Sequence, residues 1–286
     1  MTAPTRSSRR GAEVHLIGVV HLYPSPEGDV VALRGVDLDV SSGESLSLLG
    51  PSGAGKSTVL ALLAGNVVAS AGQVLIDGED VGRMDGEHLG RLHASDVSLV
   101  VQGADRNLLP YATALENVWF AQQGARRRGR DPRIGPHRLL EQFGLADIGD
   151  LAVGRLSAGQ RQRVALAAGI ASLPRLLLVD EPTSQLDPSA RDEVIDMLLQ
   201  ICAELGSTVV AVTHDADVAA RMGRTVTIRD GRVGGEGRRG VEYAVVGRDG
   251  LVQLPADVLD LLPPDSLVEV IRQPDGVVLR RGEDER

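Results

Sequence analysis

Apolar runs and helix-spaced segments alternate along the 286 residues of this chain. Residues 45–49 (SLSLL), 97–101 (VSLVV), 175–179 (RLLLV) and 208–212 (TVVAV) are short and apolar, and each runs into a polar turn. Such Val- and Leu-rich runs fit strands covered on both faces. Residues 57–64, 114–123, 138–144, 158–172 and 189–205 fill the gaps with helical patterns. Strands alternating with helices predict an α/β fold on a parallel sheet. Residues 1–12 are polar and aperiodic, a flexible tail ahead of a main domain over 13–234. The Gly-rich stretch 234–240 (GGEGRRG) breaks the composition, so 235–240 reads as a linker. Beyond it, 241–286 reads as a small β-rich module, with turns at 248–250 and 274–276 and a short helix near 256–262.

Composition narrows the class. At 43% hydrophobic the chain can build a core, which excludes global disorder. Aromatics are only 2%, so that core is aliphatic. Cys202 is the single cysteine, which excludes a disulfide framework and a multi-cysteine metal site. Thirty basic against 39 acidic residues leave a net charge of −9, which argues against general nucleic-acid affinity. No window reaches the roughly 18 apolar residues of a membrane span. The nearest, 164–179, is broken by Ser172, Pro174 and Arg175. Arg6, Arg9 and Arg10 are followed by Glu13 and His15, not by a signal-peptide core. These features predict a soluble, cytoplasmic chain that can still dock onto a membrane protein.

Parallel sheets bind ligands at the carboxyl ends of their strands. Three polar clusters fall there: residues 50–58, Asp180 with Glu181, and His214. Gly50, Pro51, Ser52, Gly53, Ala54, Gly55, Lys56 and Ser57, followed by Thr58, fit the phosphate-binding pattern G-x-x-x-x-G-K-[ST] between a strand and a helix. Its glycines let backbone N–H groups converge on phosphate oxygens, and the helix dipole points at the same anion. Lys56 can reach the β- and γ-phosphates, and the Ser57 hydroxyl can bind Mg²⁺. Asp180 ends an apolar strand as a carboxylate for the Mg²⁺ shell, and Glu181 as the group that orients and deprotonates the attacking water. Gln102, after another apolar run, offers an amide oxygen to Mg²⁺ and to that water. His214 offers a hydrogen bond to the γ-phosphate. Alone, Gln102 is an ordinary loop glutamine and His214 an ordinary polar residue at a strand end. Their order around the phosphate loop gives them meaning.

Leu156, Ser157, Ala158, Gly159 and Gln160, followed by Arg161, Gln162 and Arg163, resemble the signature motif of ABC-transporter ATP-binding subunits, usually Leu-Ser-Gly-Gly-Gln. Five motifs occur in that family's order over about residues 13–234: the phosphate loop, Gln102, the signature, Asp180 with Glu181, and His214. Residues 184–187 (SQLD) resemble the family's D-loop. Tyr23, 33 residues before Lys56, is placed like the aromatic that stacks on adenine. The resemblance implies a P-loop NTPase domain of the ABC type, with a parallel sheet core, an antiparallel β subdomain and a helical subdomain. It implies ATP and Mg²⁺ as ligands. It also implies a head-to-tail dimer over two ATPs, in which Ser157, Gly159 and Gln160 of one copy serve the ATP held by the other. An integral-membrane permease is the implied partner, which places the chain peripherally on the inner face of the cell membrane.

Three positions depart from the family pattern. Ala158 replaces a signature Gly, Gln185 stands where the D-loop often has Ala, and Ala168 stands where the following helix usually carries Arg. None touches Lys56, Glu181 or His214, so a competent ATPase is expected. Residues 107–110 (NLLP) and 113–117 (TALEN) resemble the stretch that touches the permease, while Thr113 and Glu116 also read as a helix-capping pair. With the Tyr23 spacing, this texture looks most like the lipoprotein-release, macrolide-efflux and FtsE-like branch.

Residues 246–255 (VGRDGLVQLP), with 267–271 and 277–280, resemble the AbrB-like swapped-hairpin fold, whose members often bind DNA. Here residues 241–281 hold four arginines against seven acids, a net of −3, so DNA binding is not expected. A dimerising or regulatory module fits better. Two alternatives stand beside the transporter reading. A soluble ABC ATPase acting on DNA or ribosomes would carry a long insertion or a second ATPase copy, yet only 55 residues separate Gln102 from Ser157. An ATP-gated regulator would act through the C-terminal module.

One count sharpens the reading. Of 30 basic residues, 29 are Arg and one is Lys, and that one is Lys56. An ammonium is compact, whereas a guanidinium is wide and planar. Lys56→Arg keeps the charge but is expected to abolish ATP hydrolysis in a phosphate-release assay; near-normal turnover would show that the coincidence means nothing.

Overall fold

The computed structural model describes residues 11–127, 134–238, 241–247, 250–264 and 266–282. Strands β1 (Val14–Tyr23) and β2 (Val30–Val40) open the fold as an antiparallel pair. Then come β3 (Ser45–Leu49), the phosphate loop and α1 (Lys56–Leu63). Strands β4 (Ala71–Ile76) and β5 (Glu79–Asp80) complete an antiparallel sheet in the order β2-β1-β4-β5. Helix α2 (Gly86–Ser95) leads into β6 (Val97–Val100), followed by α3 (Ala114–Arg127) and α4 (Pro136–Gln142). Next are α5 (Ala158–Ala171), β7 (Leu176–Asp180), α6 (Pro188–Leu205), β8 (Thr208–Thr213) and α7 (Ala216–Arg221). Strands β9 (Arg224–Arg229), β10 (Arg232–Arg238) and β11 (Val241–Ala244) finish a second sheet in the order β11-β10-β9-β3-β8-β7-β6. The chain ends with α8 (Ala256–Leu259) and the hairpin β12 (Val268–Gln273) and β13 (Gly276–Arg281).

The second sheet is the centre of the molecule. From β9 through β6 its strands are parallel. Alternate side chains feed two separate cores. Leu176 and Leu178 of β7 join Val210 and Val212 of β8, Leu46 and Leu48 of β3, and the apolar face of α1. Leu177 and Val179 join Val209 and Ala211 on the other face, against α5 and α6. A period of two thus serves both faces because both are apolar, as the Val- and Leu-rich runs anticipate. The first core continues into the antiparallel sheet, and the second into α3, α4 and the start of α5.

The expected linker is a correction. Residues 232–238 form strand β10, hydrogen-bonded between β9 and β11. Glycine is there for close approach: a Cβ on Gly234 would strike the Gln253 side chain. Glu236 anchors the strand with a two-bond ion pair to Arg224, at 2.8 and 3.0 Å. Arg239 and Gly240 lie outside the described residues, as do residues 1–10 of the expected tail 1–12, whose last two residues are buried, with the Ala12 N–H donating to the Arg175 carbonyl at 3.0 Å. Among the described residues, no helix is long and apolar enough to cross a membrane.

Phe143 is the exception in an aliphatic core. The other five aromatics, Tyr23, Tyr111, Trp119, Phe120 and Tyr243, are exposed, while Phe143 is fully buried with Leu139, Leu140 and Leu145. Phe143→Ala is expected to destabilise the fold by about 3–5 kcal/mol, because the aliphatic surroundings cannot collapse into so large a void. Denaturant unfolding checks this; a loss below about 1 kcal/mol would place Phe143 outside a rigid core.

Candidate functional site

Strand β3 delivers the chain into the phosphate loop, where Gly50 (φ 155°) and Gly55 (φ 101°) bracket the turn. A Cβ on Gly50 would strike the Ile228 carbonyl, and one on Gly55 would lie 2.5 Å from the Ala32 carbonyl. The loop is squeezed between β9 and β2, and only glycine fits. Ala54 is buried beneath it, its carbonyl accepting from the Gly231 N–H at 3.1 Å. Ser52 and Gly53 face solvent. Helix α1 then starts with no side-chain cap and no acid in its first turn. Its leading N–H groups are therefore left for an anion.

Lys56 is only 7% exposed. Its Nζ donates to the carbonyls of Gly50 and Pro51 at 2.7 and 2.8 Å. Burial pushes its pKa below the usual lysine value, while Glu181 and Asp180 pull it back up. Neutral carbonyls hold the ammonium more weakly than phosphate oxygens do. Ser57 is exposed beside it, with its hydroxyl close enough to the Asp180 carboxylate to pull that pKa down. Burial raises the Asp180 pKa and Glu181 adds to the rise, against the Ser57 hydroxyl and the Lys56 charge. Thr58, one turn into α1, is buried and lies 3.4 Å from the Tyr23 hydroxyl, which donates to it. Tyr23 thus ends β1 at the rim of the loop, half-exposed, with the His21 ring packed edge-on against it at 4.6 Å.

Glu181 is a non-glycine residue in the left-handed region, φ 50°. That conformation costs about 1–3 kcal/mol and persists only where neighbours enforce it. Here its N–H donates to the Val212 carbonyl at 2.9 Å. Gln162, fully buried, donates from Nε2 to the next carbonyl, Pro182, at 2.9 Å. The buried Glu181 side chain meets His214 Nδ1 through Oε1 at 2.8 Å. With Glu181 ionised, Nδ1 carries the hydrogen of that bond. His214 Nε2 then donates to a phosphate only from the imidazolium form.

Five expected site residues therefore gather at one edge of the sheet: Lys56, Ser57, Asp180, Glu181 and His214. Gln102 is exposed two residues beyond the end of β6, the strand whose Val100 pairs with Val179. The signature residues do not join the cluster. Ser157 caps α5, its Oγ accepting from Gln160 N–H at 3.2 Å while Gln160 Oε1 accepts from Ser157 N–H at 2.9 Å. Gly159 instead packs on the residues after Glu181: a Cβ there would lie 3.3 Å from Leu186. Ala158 is exposed, so its extra methyl meets no packing cost. Gln162 was missed from sequence. Its only signal is an amide within the polar run 160–163 that opens an otherwise Ala-rich helix.

Among the described residues, no three His, Cys, Asp or Glu side chains gather as a metal site. A cation here would rest on the Ser57 hydroxyl, the Asp180 carboxylate and oxygens of a nucleotide. A sparse set of hard oxygens suits Mg²⁺, which keeps waters and phosphate oxygens in its shell.

A glycine-bracketed loop opening an uncapped helix, two strands from paired acids, belongs to the P-loop nucleoside triphosphatases. Residues 33–184, more than half of the chain, match the family model described as ABC transporter. The lipoprotein-releasing system ATP-binding protein LolD 2 of Caulobacter vibrioides is 38% identical over 218 residues, covering 76% of this chain and 95% of that protein. The macrolide export ATP-binding/permease protein MacB 1/2 of Paracoccus denitrificans is 39% identical over 241 residues, covering 82% of this chain and 35% of that longer protein. A dimeric structure of the ATP-binding cassette MJ0796 in a post-hydrolysis state, bound to ADP and Pi, superposes with a TM-score of 0.70 at 33% identity, covering 79% of this chain and 98% of that one. The chain belongs to the ABC transporter family, as an ATP-binding and ATP-hydrolysing subunit.

A carboxyl whose pKa is higher folded than unfolded binds its proton more readily in the folded state. Stability then falls as pH rises through that window. Asp180, raised by burial, is such a group. Asp180→Asn is therefore expected to raise the thermal midpoint of the nucleotide-free protein at neutral pH. The gain should vanish as pH drops below the ordinary carboxylate range. A variant no more stable than the parent at pH 7 contradicts the burial penalty.

Proposed function

We propose that two copies of this chain close head to tail over two ATP molecules and drive a separately encoded membrane permease. The observation that carries the reading is the convergence of Lys56, Ser57, Asp180, Glu181 and His214 beside an uncapped helix. In this reading the backbone from Gly50 to Gly55, with the N–H groups of Lys56, Ser57 and Thr58, cradles the β-phosphate. Lys56 exchanges its two carbonyl acceptors for β- and γ-oxygens. Tyr23 lies against the adenine. Ser57, Asp180 and Gln102 hold Mg²⁺, which when bound neutralises charge on the phosphates. Glu181 takes a proton from the attacking water, and Gln102 helps to orient that water. His214 holds Glu181 through Nδ1 and reaches the γ-phosphate through Nε2.

Ser157, Gly159 and Gln160 serve the nucleotide of the second copy. Their position on α5, away from the Lys56 cluster, supports that assignment, because a motif that cannot reach its own loop can reach a partner's. The capping box takes up the Ser157 and Gln160 N–H groups and leaves those of Ala158 and Gly159 at the start of α5 for an anion. For the permease, support comes from the loop before α3. Asn107 hydrogen-bonds the Val101 backbone and Asn117 the Leu109 backbone, so the loop is braced. Thr113 and Glu116 cap α3 reciprocally. On this rigid platform Tyr111, Trp119 and Phe120 are exposed, at 80%, 48% and 59%. Exposed aromatics on a braced loop suit a protein partner. The ATPase unit, expected over residues 13–234, runs on through β10 and β11 to Ala244, and an AbrB-like module follows it. The β12–β13 hairpin and the helix after Pro255 support that module reading. Its net charge of −3 over 241–281 speaks for a dimerising or regulatory role rather than for DNA.

Glu181→Gln is expected to slow hydrolysis by roughly 100-fold or more while ATP still binds. The variant should run as a dimer with ATP and Mg²⁺ in size-exclusion chromatography. If it stays monomeric with ATP, the general-base and two-copy assignments both fail.

A further inference from the structure

Helix α6 follows residues 184–187, and α7 follows His214. Four acids and two arginines lie between these helices. Arg191, in the second turn of α6, is only 19% exposed at its side chain. Its Nη1 donates to Asp215 Oδ2 at 2.6 Å, its Nη2 to Asp217 Oδ2 at 3.3 Å, and its Nε to Asp192 Oδ1 at 3.1 Å. Asp215 is shared between two tasks. Its Oδ1 caps α7, accepting from the Asp217 and Val218 N–H groups at 2.9 and 3.3 Å. Its own N–H donates to Thr213 Oγ1 at 3.0 Å. Asp215, next to His214 in the chain, is therefore held through both carboxylate oxygens and its own N–H.

These contacts close a ring. From Glu181 the backbone runs through residues 184–187 to Asp187, which caps α6 by accepting from Ala190 N–H at 2.9 Å. Four residues on, Arg191 crosses to Asp215. His214 returns to Glu181 at 2.8 Å. His214 needs such support, because its side chain is 71% exposed and the contact to Glu181 is the single side-chain bond it makes among the described residues. A ring held only by exposed groups is loose, whereas a planar guanidinium that spans Asp215, Asp217 and Asp192 through three separate nitrogens is directional.

We propose that Arg191 is a positioning residue for ATP hydrolysis: through Asp215 it fixes where His214 meets Glu181. The inference rests on the reading of Glu181 and His214 as the hydrolytic pair. The hydrogen bonds of Arg191 go to Asp192, Asp215 and Asp217 and not to the phosphate loop, so it acts on turnover and not on ATP affinity.

Arg221 provides the control. It bridges the same two helices, donating to Asp196 at 2.6 and 2.7 Å and to Asp192 at 2.8 Å, but it makes no contact with Asp215. The Arg191 and Arg221 side chains are 19% and 34% exposed, so thermal unfolding of each variant shows whether the fold is kept. The test compares Arg191→Ala, Arg191→Lys, Arg221→Ala and Glu181→Gln by ATPase kinetics and thermal unfolding. Arg191→Ala should lower kcat by roughly 10-fold or more with KM for ATP unchanged, as expected for a displaced reacting group. Arg191→Lys keeps the charge, loses the fork and should fall between. Arg221→Ala should turn over like the parent protein. Combining Arg191→Ala with Asp215→Asn should cost no more than either change alone, because both break one link. Normal kcat in Arg191→Ala, with Glu181→Gln inactive, overturns the positioning role alone. Equal losses in Arg191→Ala and Arg221→Ala mean that the arginines merely hold α6 to α7, and also overturn it. Normal hydrolysis by Glu181→Gln overturns the inference together with the reading beneath it.

Discussion

The parallel register that sets Leu49 beside Thr213 and Asp180 beside Val212 governs the site. Strands β3, β8 and β7 are neighbours, and their last residues open into the phosphate loop, the His214 turn and the acid pair. A one-residue slip of β7 would turn Leu177 and Val179 into the wrong core. It would also carry Asp180 away from Ser57. Two full cores, one on each face, oppose that slip. The chemistry therefore inherits its precision from aliphatic packing several residues away.

That precision has a cost. Lys56 is buried enough to lower its pKa, and Asp180 enough to raise its own. Glu181 adopts a left-handed backbone without being glycine. Each of these opposes folding in the absence of nucleotide, and each is tolerable because the surrounding sheet is over-determined. The same features prepare the site. A poorly solvated ammonium and an uncapped helix start both gain most from a polyphosphate. Ligand binding then stabilises the state that folding alone leaves strained.

Much of this was legible in the chain. The apolar runs fall on β3, β6, β7 and β8 within a residue or so, since both-face burial makes them nearly uninterrupted. The phosphate loop is legible because its glycines answer a local backbone demand. The antiparallel sheet is poorly legible from alternation, because the β1 register shifts between Leu16 and Val19 and again after His21. Residues 234–240 misled for a related reason. Glycine there serves the close approach of Gln253, which no local pattern announces. Gln162 and Arg191 carry no motif; each matters through a partner 20 or more residues away.

By itself, the order of motifs determined that the chain binds and cleaves ATP, since spacing between a strand, a glycine loop and a helix is a local matter. The lone lysine belongs to the same local logic. The tertiary structure decided which of those residues meet. It joined His214 to Glu181, set Ser57 near Asp180, and kept the signature on a different helix, closed by its own capping box. Those relations depend on strand register and on helix packing across a shared sheet. They arise from contacts distant in sequence, which a linear pattern does not encode.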